Sequence, residues 1–86
     1  MIEKEKFYCR YNDRTKMLDI KYENQEYSFL VDDNLSGCCE VINIMNEKLT
    51  IIFVYYRDEH HGLINHKYLN LIDSKGNSLS INVDLI

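Results

Sequence analysis

The stretch Cys38–Tyr56, reading CCEVINIM, then NE, then KLTIIFVYY, decides the fold. Its second half, from Thr50 to Tyr56, is almost entirely β-branched or aromatic, the side chains that pack best on a pleated surface. Successive side chains of a strand point to opposite faces. Leu49, Ile51, Phe53 and Tyr55 therefore share one face, and Ile52, Val54 and Tyr56 share the other. A strand apolar on both faces belongs inside a sheet that is covered on both sides. A turn at Asn46-Glu47 would set Ile44 opposite Leu49, Asn43 opposite Thr50 and Ile42 opposite Ile51. That register makes two apolar pairs on one face and a polar pair on the other.

A helix competes for the first arm. Ser36, Glu40, Asn43 and Glu47 fall at helical spacing and would form a narrow polar stripe. Over about residues 35–47 such a helix, packed on an antiparallel sheet, would make the fold α+β. Gly37, two cysteines, Val41, Ile42, Ile44 and two asparagines are poor or middling helix formers, so the hairpin is the preferred reading.

The flanks extend the same pattern. Lys6–Tyr11 alternates, with Phe7, Cys9 and Tyr11 on one face and Tyr8 and Arg10 on the other. Asn12–Thr15 is a turn. Lys16–Tyr22 then aligns Leu18, Ile20 and Tyr22, and after Glu23-Asn24-Gln25 the segment Glu26–Val31 aligns Tyr27, Phe29 and Val31. Asp32–Gly37 is a break, and Arg57–His66 is the longest loop. Lys67–Asp73 and Ser78–Ile86 flank Ser74-Lys75-Gly76-Asn77, where glycine would supply a positive φ. The last strand carries Leu79, Ile81, Val83 and Leu85 on one face. Seven short strands with local turns predict one all-β domain over residues 1–86, a small antiparallel meander closing as a barrel or sandwich.

Composition narrows the function classes. The chain reads as a complete small protein of 86 residues, large enough for one modest core. Alanine, proline and tryptophan are absent while Ile, Asn, Lys and Tyr abound, a bias toward A/T-rich codons that would suit a mobile element. Charges at the N-terminus replace the apolar core of a signal peptide, and no apolar run is long enough to span a membrane. Three cysteines, two of them adjacent, fit no disulfide framework, which predicts free, mostly buried thiols in a reducing cytoplasm. Net charge is −4, divided as +2 on residues 1–21 and −6 on residues 22–86. An acidic body does not attract phosphate backbones.

Candidate chemistry is sparse. His60, His61 and His66 stand with Asp58 and Glu59 in one loop and are the weak candidates for a metal site. Their spacing matches no structural zinc pattern, and the ordinary reading is a polar surface loop. Cys9, Cys38 and Cys39 lack the electropositive setting that activates a thiol. Asp32-Asp33 lack a partner that would hold acid–base geometry. No catalytic residue and no cofactor is implied. Tyr8, Tyr56 and Tyr68 lie opposite the main apolar rows of their strands, and tyrosine is enriched at interfaces.

The expectation is therefore a non-enzymatic, cytoplasmic protein-binding module, suited to an accessory or inhibitory role that occludes a partner's surface. Glu23, Glu26, Asp32, Asp33, Asp58 and Glu59 would be presented to a basic partner, and a homodimer through an edge strand is a further expectation. The alternative is a nucleic-acid-binding barrel using Lys6, Arg10, Arg14, Lys16 and Lys21 with the nearby aromatics. A metal-dependent enzyme on the histidine loop is the remaining reading.

Overall fold

The computed structural model describes residues 2–31 and 37–86, and for 37 and 38 the backbone alone. Eight strands follow one another: β1 (Phe7–Asn12), β2 (Met17–Tyr22), β3 (Gln25–Leu30), β4 (Gly37–Ile44), β5 (Glu47–Arg57), β6 (Ile64–Ile72), β7 (Ser78–Asn82) and β8 (Asp84–Leu85). They form two four-stranded sheets, ordered β3-β2-β1-β8 (sheet A) and β4-β5-β6-β7 (sheet B). The all-β expectation holds in its sandwich form, and the first arm of the central hairpin is a strand over residues 37–44. No described helix is long and apolar enough to cross a membrane.

Alternation places the core as predicted. Leu49, Ile51, Phe53 and Tyr55 are buried on one face of β5, and Leu18, Ile20 and Tyr22 on one face of β2. Tyr11 of sheet A lies against Phe53 and Tyr55 of sheet B, with ring centroids 5.0 and 6.0 Å away. Those rings are the centre of the inter-sheet packing.

The central turn sits one residue earlier than expected. Ile44 pairs with Glu47 and Ile42 with Leu49, so Met45-Asn46 form the two-residue loop. Both have positive φ, 52° and 62°, the conformation whose twist matches a hairpin. Moving the turn by one residue moves the pairing by two, so every side chain keeps its face.

The last strand also differs. It breaks at Val83, which is fully buried, and the chain passes from sheet B to sheet A. There β8 runs parallel to β1, with Arg10 opposite Asp84 and Tyr11 opposite Leu85, and the Ile86 N–H donates to the Tyr11 carbonyl at 2.9 Å. Leu85 is 45% exposed, outside the buried row predicted for it. Before this strand Gly76 has φ 88°, as the turn requires, while the Asp73 carboxylate accepts from the Lys75 and Asn77 backbone N–H groups.

An ion pair links the two sheets. Arg57 at the end of β5 donates two hydrogen bonds to Asp13 in the β1–β2 turn, at 3.0 and 2.7 Å, and one to the Gly62 carbonyl. Its guanidinium also lies 5.4 Å from the Tyr55 ring centroid. Arg57, and after it Lys16, hold the Asp13 carboxyl down from 3.8 to about 2. Folding therefore favours the ionised carboxylate. The resulting stabilisation is complete above 3.8 and is lost as pH falls toward about 2. Asp13→Asn is expected to lose about 1–2 kcal/mol at neutral pH, a charged hydrogen-bonded pair discounted for its exposure. Urea melts of both proteins should converge near the acid limit, and a gap that stays constant with pH would contradict the pairing.

Candidate interaction face

Hairpin geometry gives sheet B two unlike faces. The inner face carries the buried row. On the outer face Val41 of β4 lies opposite Thr50 of β5, Cys39 opposite Ile52, and Val54 opposite Tyr68 of β6. Tyr56 and His66 continue the surface as an edge-on ring pair 6.2 Å apart, beside the irregularity that ends the β5–β6 ladder. Val41 is 51% and Tyr56 59% exposed, and Ile52, Val54, Tyr68 and Ile72 are half-buried. Serines, asparagines and Thr50 fill the remaining positions. Apart from His66, Lys48 at one end is the only lysine, arginine or carboxylate side chain on this face among the described residues.

The expectation that β5 is covered on both sides is thus corrected. The strand is internal to its sheet, and the described residues cover one face of it only. An apolar patch of this kind is the type of surface at which proteins associate.

Sheet A presents the opposite character. Arg10 lies 3.8 Å from Asp19 across β1–β2, Lys21 3.7 Å from Glu26 across β2–β3, and the Ser28 hydroxyl donates to Asp19 at 2.7 Å. A groove of about 310 Å³ runs past Tyr8, Arg10, Asp19, Lys21 and Glu26. Lys6 contacts Glu23 at 2.7 Å and Glu3 at 2.8 Å, and Lys16 contacts Asp13 at 2.9 Å. Four of the five basic residues of the nucleic-acid reading therefore already have carboxylate partners, and Arg14 is the exposed fifth. Phosphates would have to displace those carboxylates before counterion release could favour binding.

The acidic residues are likewise dispersed. Glu23 and Glu26 lie around the β2–β3 turn and bind lysines. Asp58 and Glu59 lie in the β5–β6 loop, which Arg57 ties to the other end of β2 through Asp13. β2 spans six residues, roughly 20 Å, so these acids do not form one surface. Asp32 and Asp33 lie outside the described residues.

The loop itself is shorter than predicted. β6 starts at Ile64, which puts His66 on a strand while His60 and His61 stay exposed in the loop. Asp58 accepts the His60 backbone N–H at 2.7 Å and lies 3.3 Å from the His61 ring. These two contacts, the first foremost, hold its carboxyl below the usual range. Its oxygens serve the turn, and no group of three or more metal-ligating side chains converges among the described residues.

Of the thiols, Cys9 is buried, and burial, with Asp84 nearby, pushes it up to about 12, far from nucleophilic use. Cys39 is exposed on the outer face of sheet B, against the expectation of buried thiols, and the side chain of Cys38 lies outside the described residues. A cleft of about 250 Å³ at one end of the sandwich has an apolar floor of Ile2, Leu49, Leu71 and Leu79. The Asp73 carboxylate at its rim is committed to its own turn. Of the three tyrosines singled out from sequence, Tyr56 and Tyr68 share the outer face of sheet B, and Tyr8 lies on sheet A. Of the further members of that face, Ile52 and Val54 were legible as the second apolar row of β5, whereas Cys39 and Val41 were not assigned to it.

Compared with known proteins, the chain is matched by no family model, no curated protein and no solved structure.

Proposed function

We propose that this chain is a non-enzymatic, cytoplasmic protein-binding module that uses the outer face of sheet B. One observation carries the reading: β5 is apolar on both faces, and the described residues cover one. The occupant that fits is a folded partner with an uncharged, largely apolar patch. Tyr56 and Tyr68 supply large contact area with polar tips, and Ile52 and Val54 a flat apolar centre. Occlusion of a partner's surface is the mode of action such a face supports. The codon bias suits an accessory or inhibitory protein of a mobile element. Sheet A, with its paired charges, serves as the solvated side.

The test is capture on the tagged chain from its native cell, washed at about 0.1 M and then about 0.5 M salt. Bound protein is read by mass spectrometry and nucleic acid by absorbance ratio. One stoichiometric protein that survives the higher salt is the expected result. Nucleic acid that elutes as salt rises, and is lost on joint charge reversal of Arg10, Arg14 and Lys16, would overturn it.

A further inference from the structure

The four strands at the edges of the two sheets are β3, β8, β4 and β7, and they are not equally protected. β4 is the longest, at eight residues against six, two and five. It carries no lysine and no proline, and its ladder to β5 runs without a bulge. An edge of that kind is a template for another strand.

Its backbone shows where pairing is possible. The closing pair Ile44–Glu47 exchanges hydrogen bonds across the turn, and pairs then alternate along the hairpin. The N–H and C=O groups of Gly37, Cys39, Val41 and Asn43 therefore point away from β5. The Tyr27 hydroxyl donates to the Asn43 carbonyl at 2.6 Å and closes that end. No such cap falls on Cys39 or Val41 among the described residues.

We propose that two copies of the chain pair antiparallel through β4, about a two-fold axis at Cys39. A two-fold axis at any residue of the strand keeps the outward groups in line, and axes at Cys39, Glu40 or Val41 bring at least three outward residues into pairs. Centring on Glu40 would set the strand's one formal charge against its own copy. Centring on Val41 would need the Asn43 carbonyl that Tyr27 already occupies. Centring on Cys39 uses Gly37, Cys39 and Val41, sets Glu40 opposite Cys38 of the second copy rather than against itself, and leaves Asn43 outside. The chain carries a net charge of −4, so like copies repel except where acids are scarce, and β4 with the outer face beside it is such a place. The pairing joins two copies of sheet B into one eight-stranded sheet and makes their uncharged faces continuous. This goes beyond the docking reading and does not depend on it.

In this register Cys39 faces Cys39 of the second copy as a hydrogen-bonded pair, with Cα atoms about 5.5 Å apart. That separation lies within the range a disulfide spans. The thiols serve here as a reporter. Added copper phenanthroline cycles between Cu(II) and Cu(I), one electron at a time, and passes two electrons from the thiols to dissolved dioxygen. The dioxygen takes up the two protons as hydrogen peroxide while the S–S bond forms.

The experiment is sedimentation equilibrium on the purified full chain carrying Cys38→Ser, under reductant, beside the same chain with Val41→Pro. The Val41 N–H points away from β5, so proline leaves the internal ladder intact while removing an intermolecular donor. The expected result is a dimer whose dissociation constant rises about a hundredfold in the proline variant. Cys39→Lys, which sets like charges on the axis, should be monomeric, and Cys39→Ser should remain dimeric. Oxidation should give a cross-linked dimer that Cys39→Ser abolishes. A monomer at all concentrations, a dimer indifferent to both Val41→Pro and Cys39→Lys, or a dimer that oxidation fails to cross-link would each overturn the proposal. A monomer that still captures its partner leaves the docking reading standing, and a dimer that captures nothing leaves this one.

Discussion

A chain ended after Asn82 should lose its cooperative melting transition, or retain one weakened by about 4 kcal/mol. Val83 is fully buried, and a buried valine contributes about 1.5–3 kcal/mol by its removal from water. The four deleted residues also carry β8, whose loss strips Arg10 and Tyr11 of their parallel partners and the Tyr11 carbonyl of its Ile86 donor. Tyr11, now fully buried, would then lie on an unpaired stretch of β1 beside the space that Val83 leaves. Because this segment is the one covalent passage from sheet B to sheet A at that side, its removal also frees the two sheets to slide. Thermal and urea melts of the truncated chain decide the matter. A truncation within about 1 kcal/mol of the full chain would show that β8 only decorates the sheet.

Phe53→Ala is the second large effect. The side chain is 1% exposed, with the Tyr11 ring 5.0 Å and the Tyr55 ring 5.2 Å away, so it joins the two sheets at their centre. Truncating a buried phenylalanine costs about 3–5 kcal/mol, the transfer of the ring plus the cavity it leaves. A domain of this length holds roughly 4–13 kcal/mol in all. The variant should therefore melt far earlier in urea, and a neighbouring Tyr55→Phe change, which keeps the ring volume, should cost much less. Equal losses from the two would mean that Phe53 does not lie at the centre of the core.

These two residues also show what was legible in the chain. The buried row through Phe53 follows from strict alternation, which needs no tertiary information, and so do the rows of β1, β2 and β3. The switch at Val83 does not. Leu79, Ile81, Val83 and Leu85 keep one unbroken period, and a period names a face without naming the sheet that owns it. The central turn was displaced by one residue because its positive φ begins at Met45, a side chain with no turn preference of its own. The Asp13–Arg57 pair spans 44 residues, and nothing local to either signals the other.

For the candidate site the limit was of the same kind. The second apolar row, Ile52, Val54 and Tyr56, was visible from the start. Its cover was assigned to the chain itself, yet the described residues form two layers, and the outer face of sheet B lies on neither inner side. The charged candidates failed to converge for a simpler reason. Carboxylates and ammonium groups set opposite each other on adjacent strands pair locally, so Lys21 finds Glu26 and Arg10 finds Asp19 before either meets a ligand. Counting charges along the sequence could not reveal that cancellation. The uncharged outer face of sheet B is what remains after it.

The central claim is that this face, and not the charged face of sheet A, binds the partner. The measurement is the affinity of the captured partner for two variants, Val54→Lys on sheet B and Lys21→Glu on sheet A, with the melting temperature of each recorded alongside. Val54 is half-buried on the outer face, so a lysine there can extend into water and leave the fold nearly as stable as before. A partner that covers that position would have to bury the new charge. The account predicts at least a hundredfold loss of affinity for Val54→Lys and less than about threefold for Lys21→Glu, with both proteins melting close to the parent. Full binding by Val54→Lys together with loss by Lys21→Glu would contradict it and move the site to sheet A.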